Sequence, residues 1–123
     1  MLFLYNIITL LAAQLLKIVA LFSPKMKLFV DGRKSVFQTL DNKIQSSDKT
    51  IWFHAASLGE YEQGLPVIEA TKQQFPTHKI VVTFFSPSGY EVRKNNAIAD
   101  VTVYLPLDTI SNAKQFIELV HPE

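Results

Sequence analysis

Residues 51–60 (IWFHAASLGE), 79–89 (KIVVTFFSPSG) and 101–108 (VTVYLPLD) each run from a short stretch of β-forming residues into a loop. The near-continuous apolar runs Ile51 to His54, Lys79 to Phe85 and Val101 to Leu105 read as strands buried on both faces. Between them, Glu60 to Phe75 and a shorter Gly89 to Ala97 have helical length and mixed apolar and polar faces. Ile110 to Val120 follows with Ala113, Phe116, Ile117 and Val120 at helical spacing, and Asp108 or Ser111 is expected to cap it. Such alternation predicts an α/β fold with a parallel sheet and right-handed crossovers. Ligands of such sheets sit at the carboxyl ends of the strands, which directs attention to loops 54–60, 85–89 and 105–109. A fourth strand is expected to start at His121-Pro122-Glu123, so residues 50–123 read as a partial domain.

Upstream of the sheet the pattern changes. Residues 1–22 (MLFLYNIITLLAAQLLKIVALF) carry one charge, Lys17. As a helix this segment is about 33 Å long, against about 30 Å for the hydrocarbon core of a bilayer. Its start is uncharged and its exit lacks a small-x-small site, so it reads as an uncleaved membrane anchor. Lys17, Lys25, Lys27, Arg33 and Lys34 follow the apolar run, and the positive-inside bias places the rest of the chain in the cytoplasm. An interfacial helix is the alternative, with Asn6, Thr9, Gln14 and Lys17 on one loose face, and the depth of insertion stays open. Pro24 is expected to end the helix. Residues 23–49 then form a basic connector, with one short helix suggested by Val36, Phe37, Leu40 and Ile44 and a loop at 45–49.

Bulk composition names no partner. Twelve Lys and Arg against eleven Asp and Glu leave a net charge of +1, which argues against nucleic acid. With no cysteine, disulfides, thiolate nucleophiles and Cys-ligated zinc are excluded. His54, His78 and His121 lack metal-ligand spacing, and HExxH, P-loop and GxGxxG patterns are absent, so neither a metal nor a cofactor is expected.

The chemistry rests on two loops. Glu60 is the acid/base candidate: a carboxylate accepts a proton from a sugar hydroxyl if it lies within about 3 Å. Gly59 lets a substrate approach the backbone, and His54 can donate to an anion. The competing reading makes Ser57 and Glu60 a capping box and His54 a hydrogen-bonded structural residue. In the second loop, the Ser86 and Ser88 hydroxyls and the amides up to Gly89 can cradle a phosphate or carboxylate. A Ser-Pro turn with Ser88 as the helix cap competes with that. The third loop, Leu105 to Asp108, looks like a structural turn.

The apolar amino end, Gly32-Arg33-Lys34, the segment WFHAASLGE (52–60), TFFSPSGY (83–90) and YLPLD (104–108) together resemble the start of the 3-deoxy-D-manno-octulosonic acid (Kdo) transferases. HAASLGE and SPSG in this order and spacing are far more specific than either loop alone. The resemblance implies a GT-B glycosyltransferase with a Rossmann-like amino-terminal domain. Such an enzyme is tethered at the cytoplasmic face of the bacterial inner membrane. It moves Kdo from CMP-Kdo to the lipid A precursor in lipopolysaccharide synthesis, and the glutamate matching Glu60 is its general base. It further implies that the chain holds the acceptor half, that the donor domain is missing, and that these residues are inactive alone. Two rival readings remain: a membrane-tethered binding module without chemistry, and a GT-B transferase that uses another sugar nucleotide.

Overall fold

The computed structural model describes all residues from Met1 to Glu123. The three apolar runs form β1 (Thr50–Ala55), β2 (Lys79–Phe84) and β3 (Val101–Tyr104). They pair in parallel in the order β1-β2-β3, with Thr50 opposite Lys79 and Val81 opposite Val101. Six helices surround them: α1 (Leu2–Ala20), α2 (Pro24–Asp31), α3 (Val36–Lys43), α4 (Leu58–Gln74), α5 (Pro87–Arg93) and α6 (Ile110–Val120). The expected α/β fold with a parallel sheet and an apolar amino-terminal helix is what the chain adopts.

Strand β2 is central and buried on both faces from Ile80 to Phe84, which is why its sequence is continuously apolar rather than alternating. Its side chains divide by parity. Ile80, Val82 and Phe84 join Tyr61 and Ile68 of α4, while Val81 joins Val36 and Leu40 of α3 and Phe116 and Val120 of α6. The sheet is thus sandwiched between two helical layers, and α3 belongs to one of them. After α6 the chain returns to the outer side of β1: Pro122 bridges Thr50 in parallel, and Glu123 N–H donates to the Thr50 carbonyl at 3.0 Å. Progression across the sheet therefore reverses at β1. In open parallel sheets that reversal opens the ligand crevice at the strand's carboxyl end.

Several boundaries differ from expectation for identifiable reasons. Helix α1 stops at Ala20, and Pro24 opens α2 instead of merely ending α1, because a missing N–H costs nothing in a first turn capped by Ser23. The connector consequently holds two helices. The same rule moves the α5 cap from Ser88 to Ser86: Pro87 takes the first helical position and leaves capping to the residue before it. Helix α6 is capped by Thr109, whose Oγ1 accepts from Asn112 N–H at 3.1 Å, while Asp108 turns away to accept from the Tyr5 hydroxyl. On α1, the face turned inward is Asn6, Thr9, Ala13, Leu16 and Ala20, and Gln14 and Lys17 are exposed.

Gly32 terminates α2 directly on the Tyr104 ring. A Cβ there would lie 2.1 Å from Cε2 of that fully buried ring and 2.9 Å from the Leu28 carbonyl oxygen. Neither neighbour can yield, since one is packed in the core and the other is backbone. Gly32→Ala is expected to lower stability by about 1–3 kcal/mol through overpacking, read as a fall in the urea midpoint at unchanged slope.

Candidate functional site

Strand β1 ends at Ala55, and Ser57 turns the chain into α4, its Oγ accepting from Glu60 N–H at 3.4 Å. The Glu60 side chain answers, but one residue earlier than in a standard capping box: Oε2 accepts from Ala56 N–H at 2.7 Å. That bond fixes the carboxylate at the carboxyl edge of the sheet and leaves Oε1 without a partner. Gly59 is exposed, and a Cβ there would meet only the Ser57 hydroxyl, at 3.9 Å, so the first turn of α4 is open to an approaching group.

The second loop lies alongside the first, joined by Phe85 N–H to the Ala55 carbonyl at 3.4 Å and Ser86 N–H to the Ala56 carbonyl at 3.0 Å. Ser86 Oγ accepts from Ser88 N–H at 3.0 Å and lies 2.6 Å from Ser88 Oγ, whose residue is exposed. Gly89 is buried behind them. A Cβ on it would lie 2.4 Å from the Phe84 ring and 3.1 Å from Leu58 N, so its visible role is to let α5 approach β2 and α4. His54, Glu60 and Gly64 border a cavity of about 220 Å³ against α4. A second cavity of about 270 Å³ lies under α6, walled by Trp52, Leu105, Pro106 and Asp108. The third loop is therefore more than a turn, since it forms the wall of that cavity.

Three residues quoted in the sequence only as parts of longer segments, and not as site residues, organise this edge. Trp52 Nε1 donates to Thr83 Oγ1 at 2.9 Å, and His54 Nδ1 lies 2.9 Å from the same oxygen. The indole can only donate, so the fully buried Thr83 hydroxyl is shared between the Trp52 side chain and the His54 ring. Thr83 was legible only as a single hydroxyl in an aliphatic strand. Arg33, read in the sequence as a basic residue of the connector and as part of Gly32-Arg33-Lys34, donates to the carbonyls of Leu105 (2.9 Å), Phe85 (2.7 Å) and Phe29 (2.9 Å). It stacks 3.7 Å over the Phe29 ring, and burial brings its pKa down to about 10. No three His, Cys, Asp or Glu side chains converge as a metal-ligand set.

Burial pushes the His54 pKa below its ordinary 6.5, with the Glu60 charge and a Thr83 backbone contact opposing it. In acid, the unfolded chain then takes up the proton before the folded one does. The resulting stability is complete above pH 6.5 and is lost as pH falls through the lower folded value. His54→Gln is expected to flatten the rise of the urea midpoint between about pH 5 and 7, while the wild type keeps it.

Comparison with known proteins identifies the family. A family model described as 3-deoxy-D-manno-octulosonic-acid transferase (kdotransferase) matches residues 31–123. The 3-deoxy-D-manno-octulosonic acid transferase of Aquifex aeolicus is 36% identical over 81 residues, covering 65% of this chain and 22% of that protein. The protein of that name from Haemophilus influenzae is 35% identical over 74 residues, 59% of this chain and 17% of that protein. The one from Chlamydia trachomatis serovar D is 28% identical over 97 residues, 77% of this chain and 22% of that protein. The chain thus spans about a fifth of the length of these curated relatives. With a match that runs from the end of α2 through every strand and both site loops, the chain belongs to the family of 3-deoxy-D-manno-octulosonic acid transferases.

Proposed function

We propose that these residues form the acceptor side of a GT-B glycosyltransferase that transfers Kdo from CMP-Kdo to the lipid A precursor in lipopolysaccharide synthesis. The observation that carries the reading is Glu60: a carboxylate fixed at the carboxyl end of β1 by Ala56 N–H, with its second oxygen free, inside a family match covering residues 31–123. In the proposed step the acceptor hydroxyl oxygen attacks the anomeric carbon of the donor sugar. The bond from that carbon to the CMP phosphate oxygen breaks, CMP leaves with the electron pair, and Glu60 Oε1 takes the hydroxyl proton. His54, Ser57 and Gly59 border the attacking sugar, and Ser86 and Ser88 offer hydroxyls to an anionic group beside it, with Gly89 packing that loop in place. The donor must be held close to the acceptor oxygen for this base to matter, and a second α/β unit supplies that closure in the two-domain reading. Residues 1–123 alone are therefore read as inactive.

The competing reading, in which Glu60 only caps α4, is separated by one substitution. Glutamine keeps an oxygen able to accept from Ala56 N–H but cannot take a proton. In the full-length protein that carries this segment, Glu60→Gln is expected to lower kcat by about 10²–10⁴-fold with the melting temperature nearly unchanged. Full turnover with reduced stability would assign Glu60 to the cap alone.

Helix α1 is long and apolar enough to cross a membrane, and we read it as the attachment to the cytoplasmic face of the inner membrane. Its large side chains Leu2, Phe3, Ile8, Leu11, Leu15 and Ile18 are all exposed. Deletion of residues 1–22 is expected to move the protein from the membrane pellet to the soluble fraction. Sedimentation that persists without aggregation would give the attachment to the basic segment 25–34 instead.

A further inference from the structure

Helix α1 does not stand clear of the rest of the protein. Asn6, Thr9, Ala13, Leu16 and Ala20, at alternating steps of three and four residues, form one continuous inward face along its whole length. The helix packs chiefly on α2. Near its amino end, the Tyr5 hydroxyl donates to Asp108 Oδ2 at 2.6 Å, in the loop that leaves the carboxyl end of β3. Farther along, Ala13 and Leu16 share a cavity of about 210 Å³ with Arg33, Pro106 and Leu107. Apart from Leu16 the inward residues are small or polar, and the large apolar ones otherwise point outward with Gln14 and Lys17 among them, the reverse of an amphipathic helix on a water-exposed surface.

This packing and a membrane crossing are mutually exclusive. From Tyr5 to Phe22 the helix rises about 25 Å, close to the roughly 30 Å of a hydrocarbon core. Were Phe22 at one surface and the helix crossing, Tyr5 would lie near the other, and the loop carrying Asp108 would have to follow it through the acyl layer. A carboxylate and the main chain of loop 105–109 would then sit in hydrocarbon, which lipid does not tolerate for irregular backbone.

The charges fit the opposite arrangement. Up to residue 40 the cationic side chains are Lys17, Lys25, Lys27, Arg33 and Lys34, and the single carboxylate, Asp31, is taken by Lys34 at 2.9 Å. Lys17, Lys25 and Lys27 have no carboxylate partner, and Lys17, Lys27 and Lys34 line one open cleft between α1 and α2. Cations placed at the border of an exposed apolar surface match a layer of anionic lipid headgroups above acyl chains.

We propose that α1 lies in the plane of the membrane interface, its outward face in the acyl layer and its inward face on the protein, holding the carboxyl-edge loop 105–109 at the bilayer surface. This rests on the membrane reading of α1 given above and adds its orientation. A lipid acceptor then reaches the carboxyl edge of the sheet by lateral movement, with its acyl chains still in the bilayer.

Because the chain has no cysteine, introduced thiols report without background. In membranes containing the full chain, the double variant Tyr5→Cys with Asp108→Cys is treated with a short bismaleimide, since the two side chains it replaces touch. An intramolecular cross-link, lost in each single variant, is the expected result. Since these substitutions remove the hydrogen bond itself, a second arm leaves it intact. A Gly-Ser-Cys leader placed before Met1 is compared with Glu69→Cys, on an exposed face of α4, using a membrane-impermeant maleimide on sealed vesicles of each orientation. Labelling of both thiols from the same side is expected. A leader labelled only from the side opposite Glu69→Cys overturns the proposal and makes α1 a span. Recovery of the wild-type chain in the soluble fraction overturns both the proposal and the membrane reading beneath it.

Discussion

A half-buried guanidinium with no carboxylate partner draws its solvation from the protein, and Arg33 is solvated by the carbonyls of Phe29, Phe85 and Leu105. Those three oxygens belong to α2, to the loop leaving β2 and to the loop leaving β3. One side chain therefore ties the helical hairpin to two of the three loops at the carboxyl edge. Hydrogen bonds from a charged donor are worth about 1.5–3 kcal/mol each, more than neutral ones, and stacking on Phe29 and Tyr104 covers the planar faces that water would otherwise occupy. Lysine has neither the fork nor the plane to replace it. Gly32 just before it is required by the same contact, because only a residue without Cβ brings the end of α2 onto Tyr104.

The first loop shows how local folding and chemistry draw on the same atoms. The Ser57 and Glu60 contacts start α4, and the same contacts set the carboxylate at the edge of β1 with one oxygen engaged and one free. A cap and a proton acceptor are thus compatible in one side chain, because a carboxylate has two oxygens and about four acceptor positions. Behind it, the Trp52, Thr83 and His54 side chains meet at one core hydroxyl, which fixes the position of the ring at the strand end. The reversal of strand progression at β1, made by the Pro122 bridge, places all of this where parallel sheets open their ligand crevice.

Helix α1 joins the membrane question to the same edge. Its inward stripe and the Tyr5 contact with Asp108 bring it against the third loop, and that loop is also held by Arg33 through Leu105. The proposed attachment and the site geometry therefore share a structural element. A loop anchored at both ends in this way has little freedom to drift from the sheet, since several packed contacts would have to break together.

Much was legible in the residues. The parallel sheet followed from three apolar runs separated by helix-length stretches, because burial on both faces needs continuous hydrophobicity and a crossover needs length. The loops at 54–60 and 85–89 were found for the same reason, and Ser57 and Glu60 showed their spacing. The caps of α5 and α6 were misplaced by one or two residues, since several Ser, Thr and Asp side chains competed and only the backbone geometry chose among them. What the chain order could not display were contacts between residues far apart in it. Arg33 meets Leu105 across 72 positions, Trp52 meets Thr83 across 31, and Tyr5 meets Asp108 across 103. Local periodicity and capping act within a few residues and are written in sequence. Which face of α1 turns inward, what holds the His54 ring and what solvates Arg33 depend on packing between distant segments, and only the tertiary structure decided them.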